Sequence, residues 1–331
     1  MLNNKTILIT GGTGSFGKAF TSHVLKKYKK IKKIIIFSRD ELKQFEMGKI
    51  YENTKYFEKL RFFLGDIRDR ERLEMAFRDV DIVIHAAALK QVPSSEYNPF
   101  ETIKTNVFGT QNVVETCIKH NISSLLSLST DKASSPINLY GATKLCSDKI
   151  TVSSENIKGK SKVVSCVVRY GNVMASRGSV IPMLMKKKNH KYIELTDKKM
   201  TRFNISLDEA VKFVLMCLKK AKGGEIFVPK LPSYKLIDLA KTIAPKSKFK
   251  FTGVRPGEKI HEEMISYTES MNTIKYDKYY VILPSFRRYT LKSYTVKNGG
   301  KISKNQFSYR SNLNNKFLKI SEIKKLIKNL T

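Results

Sequence analysis

Short apolar runs alternate with amphipathic stretches along the first two-thirds of the chain. Strands are predicted at KTILIT, KIIIFS, LRFFLGD, VDIVIHAA, SLLSLST and KVVSCVVRY, and helices at 15–29, at RERLEMAF, at 106–120 and after Tyr140. Strands that alternate with helices predict a parallel sheet with right-handed crossovers. The predicted fold class is therefore α/β, a doubly wound parallel sheet whose ligand lies at the carboxyl ends of the strands.

The alternation breaks after about Gly171, where Gly, Pro and Ser residues punctuate the chain. A helix at 206–221 and mixed elements around FTGVRPGEKIHEE follow, and ISEIKKLIKNL predicts one helix in the tail. We therefore predict a sheet domain over 1–170, with 205–228 returning to it. Residues 171–331 are expected to form mainly a smaller C-terminal lobe and the tail.

The composition is ordinary for a globular protein, with 41% apolar residues. The four cysteines form no CxxC pair and have no histidines at ligand spacing, so we expect reduced thiols and no metal site. The start MLNNKTILITGG has too short an apolar run for a signal peptide, and no stretch of about 18 apolar residues occurs. We expect a soluble cytoplasmic protein without membrane insertion.

The formal net charge of +33 first suggests a nucleic-acid or anionic-membrane partner. The lysines, however, are spread over the whole chain, and runs such as LKKYKKIKK and MKKKNHK are not interleaved with aromatic stacking residues. A general lysine bias therefore explains the charge better, and no nucleic-acid partner is predicted. A positive field would also steer nucleotides and nucleotide sugars towards a cleft.

The segment TGGTGSFG joins the first predicted strand to the first predicted helix. It places Gly11, Gly14 and Gly17 in a TGxxGxxG spacing. Such glycines allow a tight turn and bring backbone amides and a helix N-terminus close to a pyrophosphate. The segment predicts a dinucleotide-binding, Rossmann-type domain.

The end of the second strand bears on which dinucleotide is bound. NAD enzymes usually carry an acid there that holds the ribose 2′-hydroxyl, but this chain has Ser38 and Arg39, which suit a 2′-phosphate. We therefore predict NADP. The alternative is that Asp40 contacts the ribose and Arg39 is only a solvated charge. Asp66 after strand three is expected at the adenine edge, and AAALK (86–90) beside the diphosphate and nicotinamide.

Tyr140 and Lys144 are four residues apart, so they share one face of the predicted helix. A cationic lysine beside a phenol is expected to lower its pKa and make it a base for a sugar hydroxyl. Downstream of TGxxGxxG, this YxxxK spacing resembles the extended branch of the short-chain dehydrogenase/reductase superfamily over nearly the whole chain. Simple reductases and epimerases of that superfamily carry little that is ionisable after the fifth strand, whereas here Thr130 is followed by Asp131 and Lys132.

Two extra proton carriers imply extra proton transfers, which nucleotide-sugar 4,6-dehydratases require. The Thr-Asp-Lys segment resembles the inverting UDP-N-acetylglucosamine 4,6-dehydratases, together with SRDELKQ (38–44), HAAALKQVPSSEYNP (85–99), INLYGATK (137–144), RYGNVMASRGSVIP (169–182), MTRF (200–203) and RPGEKIHE (255–262). The resemblance implies that, beside Thr130, Lys132 is the base at C5, Asp131 the acid at C6, and Tyr140 the base for the C4 hydroxyl. A desolvated pocket with nearby positive charge is expected to lower the pKa of Lys132.

The resemblance also implies the binding residues, UDP-N-acetylglucosamine as substrate and a homo-oligomer, either a dimer or a hexamer. The cofactor residues would be Gly11, Thr13, Gly14, Ser15, Phe16, Gly17, Ser38, Arg39, Asp40, Lys43, Asp66, Ile67, Ala86, Ala87, Ala88, Lys90, Asn106, Tyr140 and Lys144. The substrate residues would be Lys90, Asn172, Arg177, Gly178, Ser179, Val180, Thr196, Met200, Arg202, Arg255 and Glu258, with Arg202 and Arg255 on the diphosphate. His85 is expected to be a satisfied strand-end histidine.

Several alternatives remain open from the sequence. A UDP-sugar epimerase on the same fold would leave Asp131 and Lys132 idle, and these two residues would then form a structural ion pair or cap the next loop. A non-enzymatic NADP-sensing protein is disfavoured because Tyr140 and Lys144 are both present. Gln91 and Asn204 depart from familiar members, so they bear on the exact sugar. The product would serve surface glycan or pseudaminic acid synthesis.

Overall fold

The computed structural model describes residues 2–174, 180–286 and 290–328. The strands are β1 (Thr6–Thr10), β2 (Lys33–Ser38), β3 (Leu60–Leu64), β4 (Ile82–His85), β5 (Ser124–Thr130), β6 (Val164–Tyr170), β7 (Asn172–Val173), β8 (Tyr192–Leu195), β9 (Thr201–Ile205), β10 (Glu225–Pro229), β11 (Ser233–Lys235), β12 (Lys248–Phe251), β13 (Glu263–Ile265), β14 (Thr273–Lys275), β15 (Tyr279–Ile282), β16 (Lys301–Ile302) and β17 (Tyr309–Arg310).

The α-helices are α1 (Ser15–Lys27), α2 (Glu41–Tyr51), α3 (Arg70–Ala76), α4 (Val92–Tyr97), α5 (Pro99–Ile103), α6 (Gly109–Lys119), α7 (Leu139–Ile157), α8 (Val180–Lys186), α9 (Leu207–Lys220), α10 (Leu236–Ile243), α11 (Leu291–Asn298) and α12 (Ile320–Lys328). A π-helical turn covers Lys104–Phe108, and 3₁₀ turns cover Phe57–Lys59, Asp131–Ala133 and Glu269–Asn272. The strands and helices predicted in the first two-thirds of the chain are all present, with ends that differ by a few residues.

Within the described residues, ten strands form one sheet in the order β16-β14-β15-β10-β6-β5-β4-β1-β2-β3. The neighbours from β3 to β10 pair in parallel, whereas β15, β14 and β16 add antiparallel strands at one edge. The direction of winding reverses between β1 and β4, which makes the sheet doubly wound, as predicted. This switch point opens the crevice in which ligands of such sheets bind.

Alternate side chains of the strands pack on opposite faces of the sheet, because successive residues of a strand point in opposite directions. Ile7 and Ile9 of β1 belong to the core that contains α1 and α9, and Leu8 belongs to the core that contains α3 and α6. All of β1 is buried. The two layers of helices thus follow directly from apolar runs with both faces covered.

The remaining strands form three small sheets, β11-β9-β7, β12-β8 and β13-β17. A third apolar core packs α8, α10 and α12 around Leu184, Leu239 and Ile323. After α9, β10 pairs with β6 in the large sheet, and β15, β14 and β16 extend that sheet further. The division into domains made from the sequence stays a prediction.

The four cysteines carry free thiols, as expected, and burial raises the pKa of Cys117, Cys166 and Cys217 well above the ordinary value. Among the residues that the structure describes, no helix combines the length and the apolar character needed to cross a membrane.

Candidate active site

The glycine-rich loop lies at the switch point of the sheet, between β1 and α1. Gly11 has φ +64°, and a Cβ there would lie 2.9 Å from the backbone of Ala87 after β4. A Cβ on Gly17 would lie 2.3 Å from the carbonyl oxygen of Gly12, so α1 can approach β1 closely only with glycine. Gly14 is the N-cap of α1 and has no side chain over the helix terminus. These glycines have no side chains to cover the backbone amides of the loop and the helix N-terminus, so the amides fit a dinucleotide pyrophosphate.

The loop is connected to the neighbouring strand ends by hydroxyl groups. Thr13 Oγ1 lies 2.8 Å from Ser38 Oγ at the end of β2, and Thr10 Oγ1 accepts hydrogen bonds from the amides of Ala86 and Ala87. The other residues predicted for the cofactor surround this point: Ser15 and Phe16 in the first turn of α1, and Ala88 and Lys90 after β4. These residues are brought together at one edge of the sheet, and their contacts with a cofactor stay a prediction.

The carboxyl end of β2 is rich in basic groups. The carboxylate of Asp40 caps α2 by accepting from the amide of Lys43, and it also pairs with the ammonium group of Lys43. Arg39 Nη1 lies 3.3 Å from Asp66 Oδ2, and its side chain is 49% exposed. Although partial burial opposes it, hydrogen bonds from Arg68 and the charges of both arginines lower the pKa of Asp66. Asp40 is thus engaged as a helix cap, and Arg39 stands towards solvent.

The floor of the crevice is built from buried polar residues between β4 and α7. Asn106, in the π-helical turn, accepts from the amide of Leu89 at 2.8 Å and donates to the carbonyl of Leu89 and to Thr143. It therefore fixes the segment after β4 against the helix that carries Tyr140. His85 lies between Thr10 and Thr110, and burial, with the charge of Lys144, lowers its pKa to about 3. His85 is a satisfied neutral histidine, as expected.

Asp131 and Lys132 begin a 3₁₀ turn directly after β5, and Thr130 caps this turn. Lys132 Nζ lies 3.1 Å from Asp131 Oδ1 and 3.0 Å from Glu262 Oε1, and Arg202 Nε lies 3.5 Å from the same Glu262 oxygen. We call these four residues the cleft cluster. The carboxylates are buried, whereas the side chain of Lys132 is 26% exposed. The ion pair considered as an alternative does exist, but it is part of a larger buried group.

The pKa values in the cleft cluster correct one expectation. Burial opposes the charged form of Lys132, but the charges of Asp131 and Glu262 outweigh it and raise the pKa of Lys132 above its ordinary value. The predicted lowering is therefore wrong for the chain itself, because the charges of the two carboxylates, Asp131 first and Glu262 second, outweigh the burial of Lys132. Burial and the charge of Glu262 raise the pKa of Asp131, whereas Lys132 and Arg202 lower that of Glu262 despite its burial.

Tyr140 and Lys144 share one face of α7, as predicted. Burial raises the pKa of Tyr140 to about 12, against the opposing effects of Lys132 and of a hydrogen bond with Thr130. The expected lowering by Lys144 is wrong, because the Lys144 ammonium group lies 3.4 Å from Ser147 Oγ on the same helix and its charge acts chiefly with Asp148. The cation that acts on the phenol in this chain is Lys132.

The segment 257–269 closes over the turn that carries Lys132. Lys259 Nζ donates to the carbonyl of Ser134 at 2.7 Å, and Ser135 Oγ donates to Glu263 at 2.7 Å. Asn138 Nδ2, in the loop before α7, donates to the carbonyl of Gly257. A Cβ on Gly171 would lie 2.6 Å from the side chain of Phe203, so this glycine lets β9 pack beside Asp131. Two distant parts of the chain therefore form one wall of the cleft.

A second ionic group lies behind the cleft, in which Arg169 and Asp148 are buried and the side chain of Glu269 is 20% exposed. Arg169 in β6 is fully buried and donates to Asp148 Oδ2 at 3.2 Å and to both carboxylate oxygens of Glu269 at 2.9 and 3.0 Å. Ser129 adds a hydrogen bond to Asp148 at 2.8 Å. We call Asp148, Arg169 and Glu269 the sealed cluster. It ties α7, β6 and the 3₁₀ turn at 269–272 together.

The predicted substrate residues are only partly brought together. Arg202 is buried, and its Nη1 donates to the carbonyls of Thr201 and Ile260, while Nη2 faces Met200 Sδ at 3.5 Å and Glu258 at 3.6 Å. Its guanidinium group is thus already engaged, and its role on a diphosphate stays a prediction.

Other predicted substrate residues lie around this arginine. Thr196 Oγ1 donates to Glu258 at 3.3 Å, and Asn172, at the start of β7, has a buried Oδ1 without a hydrogen-bond partner among the described residues. Val180 begins α8, and Arg255 is exposed. Desolvation and the charge of Lys132 lower the pKa of Lys90. The predictions for Arg177, Gly178 and Ser179 lie outside the described residues.

Glu262 is the site residue that sequence reasoning missed. It stands at the end of the quoted motif RPGEKIHE, where no role was given to it. The sequence did contain one signal, because Glu262 is an acidic residue in a motif to which only binding roles were given. The proposed lysine base, Lys132, also had no residue assigned to hold it. The described residues contain no group of three or more His, Cys, Asp or Glu side chains that could hold a metal ion.

Comparisons with known proteins agree with this geometry. The family model described as polysaccharide biosynthesis protein matches residues 7–284. A Campylobacter jejuni protein named UDP-N-acetylglucosamine 4,6-dehydratase (inverting) is 49% identical over 99% of this chain and 98% of its own length. A Rickettsia bellii protein named UDP-glucose 4-epimerase is 41% identical over 100% of this chain and 97% of its own length.

Solved structures show the same architecture. The crystal structure of a protein called Pen from Bacillus thuringiensis has a TM-score of 0.88 at 35% identity, covering 99% of both chains. A dTDP-glucose 4,6-dehydratase from Streptomyces venezuelae, solved with NAD and TYD bound, has a TM-score of 0.68 at 21% identity over 77% of this chain and 86% of that one. The second likeness shows the fold, which confirms the predicted Rossmann type.

Proposed function

We propose a function that starts from one premise: this chain belongs to the polysaccharide biosynthesis protein family and, within it, to the family of inverting UDP-N-acetylglucosamine 4,6-dehydratases. On this premise the protein is an enzyme that removes water across C5 and C6 of UDP-N-acetylglucosamine. The product is UDP-2-acetamido-2,6-dideoxy-β-L-arabino-hex-4-ulose. The observation that carries the proposal is the acid and amine pair of Asp131 and Lys132, 3.1 Å apart at the end of β5 and next to Tyr140.

Each reacting position of the sugar has a group of this chain assigned to it. Tyr140 takes the proton of the C4 hydroxyl in its tyrosinate form, which burial disfavours and the charge of Lys132 favours. Once C4 is a ketone, the C5 proton is acidic, and Lys132 removes it while Asp131 protonates the departing C6 hydroxyl. Burial and the charge of Glu262 raise the pKa of Asp131, which favours its protonated form and so supports its role as the acid. Reprotonation of C5 from the opposite face inverts its configuration.

The residues at the crevice fit a nicotinamide dinucleotide. The glycine loop at the N-terminus of α1 would hold the pyrophosphate, and Asp66 and Ile67 would border the adenine. When bound, the nicotinamide supplies the hydride acceptor for C4 and the hydride donor for C6, so the reaction has no net redox change. We propose NADP because Ser38 and the half-exposed Arg39 stand at the end of β2, where Asp40 is engaged as the cap of α2 and in an ion pair with Lys43.

Proton NMR of UDP-N-acetylglucosamine incubated with the purified protein in deuterated water tests the proposal. We expect a new C6 methyl signal, deuterium at C5 and inverted C5 configuration. A sugar that is unchanged in the presence of NADP and NAD would contradict both the substrate and the reaction.

The second candidate function is a UDP-sugar epimerase. The observation in its favour is the set of Rickettsia relatives named UDP-glucose 4-epimerase at about the same coverage. An epimerase needs hydride transfer without elimination, so the cleft cluster would have no catalytic role in it. In the same NMR experiment an epimerase would give an epimer at C4 and no C6 methyl group.

Three further properties are proposals that rest on the same premise. We place the reaction in the cytoplasm, as a lyase step that supplies surface glycan or pseudaminic acid synthesis. We also propose that the protein is a homo-oligomer, a dimer or a hexamer, which light scattering coupled to gel filtration would measure. A monomer at micromolar concentration would contradict this last point.

A further inference from the structure

The position of Glu262 is fixed from both sides by its backbone. Its amide donates to Ser311 Oγ at 2.9 Å, and its carbonyl accepts from the amide of Ser311 at 2.8 Å. The preceding residue, His261, bridges to Thr201 at the start of β9, with His261 Nδ1 and Thr201 Oγ1 2.8 Å apart. Glu262 is therefore held on ordered elements rather than on a free loop.

The carboxylate of Glu262 is buried yet only partly paired. One oxygen contacts Lys132 at 3.0 Å and faces Arg202 at 3.5 Å, and the side chain is 2% exposed. The other oxygen is buried without a hydrogen-bond partner among the described residues, and the same is true of Asp131 Oδ2. Buried carboxylate oxygens without partners cost free energy, and here both belong to the carboxylates that contact the partly exposed Lys132.

We propose that Glu262 is a positioning residue for the elimination, which holds the side-chain nitrogen of Lys132 against Asp131 so that a proton passes between those two groups. The proposal rests on the proposed function, because it takes Lys132 as the base and Asp131 as the acid. An N–H bond of Lys132 breaks and an O–H bond forms on Asp131, across 3.1 Å, while the nitrogen keeps the electron pair. This one transfer produces both the neutral amine and the carboxylic acid that the elimination requires.

The cleft cluster therefore carries the same number of protons before the transfer and after the elimination. The amine takes the C5 proton, and the acid gives its proton to the C6 hydroxyl, which leaves as water. Lys132 is again an ammonium group and Asp131 a carboxylate, as before the transfer. Glu262 stays a carboxylate throughout, and it accepts a hydrogen bond from the nitrogen when the ion pair with Asp131 is absent. The nitrogen is thus retained in the cleft although the Lys132 side chain is partly open to solvent.

The charges around the cluster agree with this assignment. Burial and Glu262 raise the pKa of Asp131, whereas Lys132 and Arg202 lower that of Glu262 despite its burial, so Asp131 is favoured over Glu262 as the proton acceptor. Beyond its four members, the charged or titratable groups that act on the cluster are Lys90 after β4, Tyr140 on α7, Tyr234 on β11, and Glu258 and Lys259 in the segment before β13. All of them are unchanged in the variants below.

The test compares pH profiles of kcat and kcat/KM for Glu262→Gln, Glu262→Asp and Glu263→Gln with those of the wild-type protein. The charge of Glu262 raises the pKa of both Asp131 and Lys132, so in Glu262→Gln both limbs of the profile should move to lower pH. We also expect kcat to fall by up to about 100-fold with KM little changed, since misplacement of a reacting group costs about this much. Glu262→Asp keeps the charge and should restore the position of the limbs.

Glu263→Gln is the matched control, because Glu263 is the next residue and pairs with Ser135 rather than with Lys132. The acidic and basic limbs of the pH profile of Glu263→Gln should coincide with those of the wild-type protein. A Glu262→Gln profile that is lower but unshifted, or a Glu262→Gln protein with full activity, would overturn the inference while the proposed function stands. A wild-type protein that forms no C6 methyl product would overturn both. Thermal unfolding of each variant, together with the Glu262→Asp result, separates a loss of folding from a loss of chemistry.

Discussion

The cleft cluster and the sealed cluster are built from similar parts but arranged differently. Each has an aspartate and a cation near the carboxyl ends of β5 and β6, and each receives a glutamate from 262–269. In the sealed cluster the cation, Arg169, is fully buried and Glu269 is 20% exposed, whereas in the cleft cluster the cation, Lys132, is itself 26% exposed. Both clusters contain buried carboxylate oxygens without partners among the described residues. The comparison suggests that a fully buried cation serves stability and that a partly exposed one serves proton transfer.

The largest effect on activity is expected when the amine of Lys132 is removed from the cleft cluster. In Lys132→Ala dehydration should fall by at least about 10²-fold to 10⁴-fold, the usual contribution of an acid–base group. The glycine loop does not involve Lys132, so nucleotide should still bind. Product formation by NMR and nucleotide content after gel filtration measure the two properties. Lys149→Ala, an exposed lysine on α7, is the control, and full activity of Lys132→Ala would remove Lys132 from the mechanism.

Loss of the cation in the sealed cluster should lower the free energy of unfolding. Arg169→Met leaves the carboxylates of Asp148 and Glu269 buried without their cation, which should lower the free energy of unfolding by about 3–5 kcal/mol. Urea unfolding at one fixed protein concentration measures this change. The exposed Arg78→Met should change it by no more than about 0.5 kcal/mol. If Arg169→Met is as stable as Arg78→Met, the sealed cluster does not hold the fold together.

His85 extends the comparison to a buried group without a counter-charge. Its folded pKa is about 3 and the ordinary value is 6.5, so between these pH values the unfolded chain binds more protons than the folded chain. Stability should therefore fall as pH falls through this window, by up to about 1.4 kcal/mol per pH unit from His85. His85→Gln should have a correspondingly smaller slope between pH 6 and pH 4 in urea unfolding. Equal slopes would show that His85 does not govern this acid sensitivity.

The smallest effect is expected at Arg39, which belongs to neither cluster and is half exposed. Arg39→Asp should shift the preference from NADP towards NAD by roughly tenfold, since a partly exposed charge contributes modestly. Titration with each dinucleotide measures the ratio of the two dissociation constants. Arg78→Asp, placed before β4 at the other end of the sheet, should leave the ratio unchanged. An unchanged ratio in Arg39→Asp would mean that Arg39 does not contact the 2′-phosphate.

The parts of the molecule that could be predicted from the sequence depend on local patterns. The parallel sheet follows from apolar runs, the dinucleotide cradle from three glycines, and the shared face of Tyr140 and Lys144 from helical spacing. The cleft cluster could be predicted only as far as Asp131 and Lys132. Glu262 and the engaged state of Arg202 could not, because they depend on how the segment 257–269 packs against β9 and the turn after β5. The predicted pKa direction of Lys132 was wrong because the charges of two carboxylates outweigh its burial, and that of Tyr140 was wrong because burial outweighs the nearby cation.

The glutamates of both clusters come from the last quarter of the chain, and this has a consequence for synthesis. A nascent chain that has been made as far as β10 contains every parallel strand of the large sheet, the glycine loop, Tyr140 and Lys132. Contacts between distant segments form late in folding, because closing a long loop costs entropy. The reactive amine thus receives its second carboxylate only when translation is nearly complete. An unfinished chain would be a nucleotide-binding protein in which the dehydratase chemistry is not yet assembled.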